Sequence, residues 1–263
     1  MKPFYKKFLS VLILINLSLF SYGQNNKKVK GYYQISVYNY TTSEQQRVLD
    51  EYLKTAYIPA LHRHKISNVG VFTPIANDTA ISKKLFVIIP LKSFEQAALL
   101  TDKINKDEQY LINSKDYKEA VYNNPPFQRI ETILLEKFVL APFFNLPKLT
   151  GSKANRIYEL RSYESATEKL FDNKVEMFNE GGEIDFFTEL NFNAVFYAKV
   201  IAGSHMPNLM YMTSFENIAD REAHWKSFVA SEKWKKISNM PYYQNNISHM
   251  DITLMKATDY SDY

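Results

Sequence analysis

Hydrophobic and polar residues follow the same succession of patterns twice along the chain. Residues 32–40 (YYQISVYNY) alternate and predict a strand, and residues 157–163 (IYELRSY) alternate in the same way 125 positions later. After each strand, apolar residues recur at spacings of three and four and predict a helix. The first helix carries Val48, Leu49, Tyr52, Leu53, Ala56 and Tyr57, and the second carries Leu170, Phe171, Val175 and Phe178. Pro59 is expected to end the first helix, and Gly181-Gly182 the second.

Each half continues with two strands, a second helix and a last strand. The predicted strands are Ile66–Ala76, Lys84–Leu91 and Gln128–Phe138 in the first half, and Phe192–Ala202, Asn208–Phe215 and Ser248–Met255 in the second. The order β-α-β-β-α-β predicts a ferredoxin-like unit, a four-stranded antiparallel sheet with helices on one face. We therefore predict an α+β protein of two tandem ferredoxin-like (βαββαβ) repeats, whose bare sheet faces cover each other.

The N-terminal segment has the pattern of a signal peptide. Lys2, Lys6 and Lys7 precede an apolar run from Phe8 to Phe20, which is shorter than the roughly 20 residues that a membrane span needs. We expect residues 1–23 to be removed near Gly23 and the mature chain, without a membrane span, to be periplasmic or secreted. Without these three lysines the net charge falls from +4 to about +1, which gives no electrostatic case for binding nucleic acid.

The expected division of the mature chain follows the repeat. The N-terminal, divergent ferredoxin-like repeat is expected at 30–140 and the C-terminal repeat at 155–258. Residues 141–154 contain two prolines and a glycine and are expected to link the repeats. A tandem already supplies its own second half, so the sequence leaves open whether the protein is a monomer or a homodimer.

Composition excludes several kinds of site. The chain has no cysteine, which excludes disulfides, iron–sulfur clusters and thiolate zinc. The five histidines are scattered, and His62 and His64 are too closely spaced to share a helix face. No nucleophile elbow and no glycine-rich phosphate loop occur. We expect no metal and no cofactor, and the sequence leaves open whether any reaction is catalysed.

Several segments of the second half resemble the NIPSNAP family, in particular its exported bacterial tandem members. They are Tyr158-Glu159-Leu160-Arg161, Asn179–Ile184, Met206–Met212, Trp225-Lys226-Ser227-Phe228 and Trp234-Lys235-Lys236. The resemblance covers about residues 155–258, while the first half matches in pattern only. It implies a dimeric α/β barrel of the ferredoxin-like superfamily, formed here within one chain. It implies no settled enzymatic activity, since the wider group includes cofactor-free oxygenases, haem degraders and non-catalytic binding proteins.

The candidate site residues begin on the first strand of the second half. Glu159, Arg161 and Tyr163 share one face of that strand. Because helices need an apolar face, we expect this polar set to point between the two sheets. A buried arginine must be paired. Arg161 is therefore interpreted either as the binding group of a polar cavity or as half of a Glu–Arg pair that holds the sheets together.

The remaining candidates come from three other segments. Asn179 and Glu183 flank the Gly181-Gly182 helix end, where Glu183 is either a carboxylate near a cavity mouth or a cap for the next helix. Asn208 follows the loop histidine His205, which we expect to be exposed, and can both donate and accept hydrogen bonds. The full set of ligand-binding candidates is Glu159, Arg161, Tyr163, Asn179, Glu183, Asn208 and Tyr211, and catalytic residues stay unknown.

Two functional hypotheses follow. In the first, an exported protein binds a small organic ligand in a cavity of the C-terminal repeat, between its sheet and its two helices, and acts as a binding protein or a cofactor-independent enzyme. In the second, the tandem is a non-catalytic structural or protein-interaction module of the cell envelope. An empty polar pocket favours the first hypothesis, whereas a packed interior with Arg161 fully paired favours the second.

Overall fold

The computed structural model describes residues 30–142, 144 and 146–263. The expected signal peptide at 1–23 and its cleavage near Gly23 lie outside the described residues. Within the described part of the chain, no helix is long and apolar enough to cross a bilayer.

Each half contains four strands and several helices in the predicted order. The first half contains β1 (Tyr32–Tyr40), α1 (Ser43–Tyr52), α2 (Ile58–Arg63), β2 (Gly70–Pro74), β3 (Lys83–Leu91), α3 (Phe94–Ile104), α4 (Glu108–Asn113), α5 (Lys115–Lys118) and β4 (Arg129–Lys137). The second half contains β5 (Ile157–Glu164), α6 (Glu168–Asn179), α7 (Glu183–Glu189), β6 (Phe196–Ala202), β7 (Asn208–Phe215), α8 (Ile218–Ala230), α9 (Glu232–Ser238) and β8 (His249–Ala257).

The first helical segment continues past Pro59, contrary to the prediction. A π-helical turn at Leu53–Tyr57 joins α1 to α2, and Pro59 occupies the first turn of α2. Proline has no N–H to donate, but Pro59 lies directly after the π-helical turn, where the hydrogen-bond pattern of the helix changes, and the helical segment continues through it. The helix therefore ends at Arg63.

The eight strands form one closed antiparallel barrel in the order β1-β3-β2-β8-β5-β7-β6-β4. Within each repeat the strand order is that of a ferredoxin-like sheet, β4-β1-β3-β2 and β6-β7-β5-β8. The repeats join at two seams, where β2 pairs with β8 and β4 pairs with β6. This confirms the predicted fold of two tandem ferredoxin-like repeats that form an α/β barrel.

Two kinds of apolar core fill the molecule. Inside the barrel, side chains from both repeats, including Tyr33, Ile35, Tyr158, Leu160 and Met212, form one buried cluster. Outside it, the helices of each repeat cover the outer face of its own sheet with separate clusters. Both faces of a strand such as β5 are therefore buried, and all of Ile157–Tyr163 is inaccessible to solvent or nearly so.

Candidate functional site

Glu159 is the centre of a buried polar network on the outer face of β5. Its side chain is fully buried, and its carboxylate accepts three hydrogen bonds. Arg161 Nε donates to Oε1 at 2.5 Å, while Arg221 Nε and Trp225 Nε1 donate to Oε2 at 2.6 and 2.9 Å. Arg221 and Trp225 are one turn apart on α8, so both reach the same carboxylate. The network fixes α8 to the sheet.

Arg161 extends this network towards two tyrosines. Its guanidinium lies 3.6 Å from the centre of the Trp225 ring, and its Nη1 donates to the hydroxyl of Tyr163 at 3.1 Å. The hydroxyls of Tyr163 and Tyr211 are 2.7 Å apart. Burial raises the pKa of both tyrosines, so both hydroxyls are protonated at neutral pH. Burial opposes the positive charge of Arg161, but Tyr211, Tyr163 and Glu159 outweigh it and raise the pKa of this arginine.

The orientation predicted for this set is wrong. Glu159, Arg161 and Tyr163 face the helices, and the alternate residues Tyr158 and Leu160 point into the barrel. Side chains do alternate between the two faces of β5, as predicted, but the interior of the barrel also requires apolar side chains. An interior charge would have found few partners there, whereas α8 supplies Arg221 and Trp225 on the outer side.

A second buried ion pair joins α6 to α7. Lys174 Nζ lies 2.8 Å from Glu183 Oε2, and both side chains are almost fully buried. The ammonium also lies 4.7 Å from the centre of the Phe178 ring, within the distance of a cation–π contact. Gly182, at φ 82°, makes the left-handed turn that places Glu183 at the start of α7. Lys174, its partner, is not among the residues that the sequence indicated.

Asn179 has a structural environment. It is the last residue of α6, and its Nδ2 donates to the carbonyl of Val175 at 2.8 Å. Its Oδ1 accepts from the backbone N–H of Leu140 at 3.0 Å, in the segment that follows β4. Both ends of the amide are satisfied by backbone groups, which ties the chain between the repeats to the helix layer.

Asn208 lies apart from the other candidates, on the inner face of β7. It lines a cavity of about 210 Å³ at the end of the barrel where β5 ends and β7 begins, here called the mouth cavity. Asn208 is 2% exposed, and its Nδ2 donates to Ser162 Oγ at 3.0 Å. Its Oδ1 is buried and has no hydrogen-bond partner among the described residues. Asn208 thus contributes a polar side chain with an unsatisfied acceptor to the wall of the mouth cavity.

The rim of the mouth cavity carries charged residues that the sequence did not indicate. They come from both repeats and are Lys84, Glu131, His205 and Asp251. His205 is exposed, as expected, and its Nδ1 lies 3.0 Å from Glu164 Oε1. Glu131 accepts a hydrogen bond from Ser204 across the seam between β4 and β6. Since no local spacing links these positions, only the closed barrel reveals them.

Comparison with known proteins assigns the C-terminal half. The NIPSNAP family model matches residues 158–262, which contain β5 to β8 and most of the residues around the mouth cavity. Residues 158–262 are therefore similar to the NIPSNAP family. This agrees with the resemblance seen in the sequence, and the N-terminal repeat lies outside the match. No curated protein matches the chain.

Solved structures share the tandem fold. A candidate monooxygenase from Lactobacillus acidophilus NCFM aligns with 87% of this chain and 94% of its own, at 10% identity and a TM-score of 0.54. A candidate monooxygenase from Fusobacterium nucleatum aligns with 86% of this chain and 92% of its own, at 9% identity and a TM-score of 0.52. A NIPSNAP family protein from Agrobacterium tumefaciens aligns with 41% of this chain and 97% of its own, at 19% identity and a TM-score of 0.36. At such identities the first two likenesses concern the fold alone, so the function of this chain must be argued from its own residues.

Proposed function

We propose that this protein is an exported binding protein that holds a small polar organic molecule in the mouth cavity of its barrel. The observation that carries the proposal concerns Asn208, a buried residue of the cavity lining whose Oδ1 has no hydrogen-bond partner among the described residues. A buried acceptor without a partner costs about 1–3 kcal/mol, and a ligand donor would recover that cost. Asn208 is one of the candidates that the sequence indicated. It lies on the inner face of the barrel, whereas Glu159, Arg161 and Tyr163 lie on the outer face.

The shape and lining of the cavity limit the ligand. A volume of about 210 Å³ is below the usual range for drug-sized ligands, so the occupant is small. Ser162 and Asn208 contribute polar side chains to the lining of the cavity, and Leu160 and Met210 contribute apolar side chains. The rim bears both charge signs, with Lys84 opposed by Glu131 and Asp251. A compact molecule with a hydroxyl or amine donor beside a short carbon skeleton fits this lining.

The Arg161 network is assigned a structural role in this proposal. Glu159 already accepts three hydrogen bonds, and Arg161 is held by Glu159, Tyr163 and Trp225 together. A carboxylate with both oxygens engaged by cationic or indole donors is a poor general base. The proposal therefore includes no catalytic step, and it places the ligand on the inner side of β5 rather than beside its helices.

Export is part of the proposal and rests on the sequence of residues 1–23, with their basic start and short apolar run. We propose the periplasm or the exterior as the location of the mature chain. The same proposal keeps an N-terminal repeat at 30–140, a linker at 141–154 and a C-terminal domain at 155–258. Fractionation of the native cells, with N-terminal sequencing of the recovered protein, tests export.

The ligand proposal is tested by mass spectrometry of small molecules that co-purify with the protein from native cells. The Asn208→Leu variant keeps the volume of the side chain but removes the amide, and we expect it to lose the co-purifying molecule. Asn179→Leu is the matched control, since Asn179 is also buried but lies away from the cavity. Repeated recovery of nothing with the unmodified protein, or equal recovery with Asn208→Leu, would refute the proposal.

A second candidate function is a protein-interaction module, and the outer face of β8 favours it. Met250 and Ile252 are 43% and 46% exposed there, beside the Arg161 side chain. Exposed apolar side chains next to an arginine are common features of protein contacts. If a Met250→Ser/Ile252→Ser variant loses a partner that the unmodified protein captures from envelope extracts, while Asn208→Leu retains it, this second function is favoured. Light scattering of the unmodified protein and of the Met250→Ser/Ile252→Ser variant would show whether that partner is a second copy of this chain.

A further inference from the structure

Three side chains of metal-ligating type lie close together at the end of the barrel that holds the mouth cavity, and one of them, Asp251, borders it. Glu164, the last residue of β5, lies directly opposite His249, the first residue of β8. His249 and Asp251 are two positions apart on β8 and therefore share a face of that strand. One donor atom from each of Glu164, His249 and Asp251 lies within 4.8 Å of the other two. The sequence predicts no metal site. His249 and Asp251 lie 85 and 87 positions after Glu164, so no local spacing links them to it.

The geometry of this cluster is close to that of a shared ion. His249 Nε2 and Asp251 Oδ1 are 3.3 Å apart. Donor atoms on one tetrahedral zinc ion lie about 3.3 Å from each other, given metal–ligand bonds of about 2.0–2.2 Å. The side chains of His249 and Asp251 are 58% and 63% exposed, so they are free to rotate the remaining distance towards Glu164. Glu164 is the less exposed anchor, at 21%.

A fourth residue supports the carboxylate of Glu164. His205 Nδ1 lies 3.0 Å from Glu164 Oε1, and His205 also borders the mouth cavity. Carboxylates that bind metals are commonly held by a hydrogen bond from a neighbouring imidazole or amide, which fixes their orientation. His205 is therefore placed to orient Glu164, or to become a ligand by a rotation of its side chain.

A separate observation indicates where the open coordination position would lie. Asn208 is the register partner of Glu164 on β7, and its buried Oδ1 has no partner among the described residues. Asn208 and Asp251 both border the mouth cavity. A water molecule held by an ion at the rim could donate to an acceptor in that cavity. The unsatisfied oxygen and the donor cluster thus lie at the same end of the barrel.

We propose that Glu164, His249 and Asp251 bind one divalent transition-metal ion of the zinc class, with its open position facing the mouth cavity. Two carboxylates and one imidazole form a donor set that suits Zn²⁺, Mn²⁺ or Co²⁺ better than it suits Mg²⁺ or Ca²⁺, because the latter two ions prefer oxygen ligands alone. The two carboxylate ligands would offset the charge of the ion. The site adjoins the cavity of the proposed function, but it does not require an organic ligand.

Calorimetric titration of Zn²⁺ alone into untagged, metal-stripped protein tests this proposal. We expect one ion per chain, and a rise of the melting temperature with Zn²⁺ concentration. His249→Ala and Asp251→Asn should each weaken binding by more than about tenfold. His62→Ala is the matched control. His62 also lies beside a carboxylate, with its Nε2 2.9 Å from Asp262 Oδ2, but it is not part of the proposed site, so its replacement should not change the titration.

Two further measurements separate the outcomes. Co²⁺ bound through an imidazole and carboxylates gives visible absorption bands, which should disappear in His249→Ala. Asn208→Leu should still bind Zn²⁺ even where it loses the organic ligand, so the two proposals fail separately. Absence of saturable Zn²⁺ binding, or equal binding by the unmodified protein and both site variants, would overturn the metal site. Because His249 and Asp251 are exposed, circular dichroism should show that the variants are folded.

Discussion

The guanidinium carbon of Arg161 lies over the Trp225 ring, 3.6 Å from its centre, while both side chains donate to the carboxylate of Glu159. This contact joins β5 to α8, elements more than 50 residues apart in sequence. Arg221 adds a second positive charge to the same carboxylate. The network therefore links the sheet and its helix through one buried anion that depends on its donors.

Removal of Arg161 is expected to destabilise the fold. Arg161→Ala leaves Glu159 buried with fewer donors and exposes one face of Trp225, and loss of one partner from a buried pair costs about 3–5 kcal/mol. Urea denaturation should show this fall in the free energy of unfolding. Arg47→Ala, which breaks the exposed pair with Glu44, should lower the free energy of unfolding far less, because water already screens that pair. If Arg161→Ala instead keeps full stability but releases a bound molecule, the ligand site belongs beside the helices.

The Lys174–Glu183 pair should behave as a coupled unit. Glu183→Leu leaves Lys174 without its partner in the apolar layer, and Lys174→Met leaves Glu183 without its partner. Each single variant should lower the free energy of unfolding by about 3–5 kcal/mol. The double variant Lys174→Met/Glu183→Leu removes both charges and should be much closer to the unmodified protein. A double-mutant cycle from urea denaturation measures the coupling. Strict additivity of the two single variants would show that the pair contributes nothing as a pair.

The two adjacent glycines should respond differently to alanine. At Gly181 an added Cβ would lie 2.5 Å from the Met177 carbonyl oxygen and 2.8 Å from its Cα, so the backbone of α6 must shift. At Gly182 no atom lies within 4 Å, and only the left-handed conformation is unfavourable, at a cost of about 1–2 kcal/mol. Thermal melting should therefore rank Gly181→Ala as the more destabilising change. Equal shifts in the melting temperature would contradict the steric assignment.

Acid should weaken the contact between α2 and α4. The bidentate hydrogen bonds of Arg63 and the backbone N–H of Tyr110 lower the pKa of Asp107 from 3.8 to about 2. A carboxyl group whose pKa is lower in the folded than in the unfolded protein stabilises the fold at pH values above its unfolded pKa. This contribution is lost as the pH falls, here between about pH 4 and pH 2. The free energy of unfolding of Asp107→Asn should change less over this interval. An identical acid dependence in both proteins would exclude this role.

The sequence predicted the repeat and the strands better than it predicted the surroundings of the candidate residues. β1 and β7 have the expected bounds, because alternation and flanking turns are local signals. β2 is shorter than expected, since Ile66 still bonds the end of the preceding helix through Leu61. The wrong orientation of Glu159 and Arg161 has a different origin. Strand alternation defines two faces but does not say which face the helices cover.

Long-range proximity was beyond the reach of sequence patterns. Lys174 pairs with Glu183 because α6 turns back at Gly182, and a lysine within a helical stripe carries no signal of such a pair. Glu164 and His249 become neighbours only through the register of β5 and β8.

The two seams of the barrel, β2 with β8 and β4 with β6, connect parts of a single polypeptide. In a barrel assembled from two separate chains, closure is a bimolecular step and weakens on dilution. Here it is an intramolecular step, so its equilibrium does not depend on protein concentration. The covalent linkage also releases the two halves from the requirement of symmetry. One half can therefore retain the NIPSNAP pattern while the other diverges, provided that its strands still fit both seams.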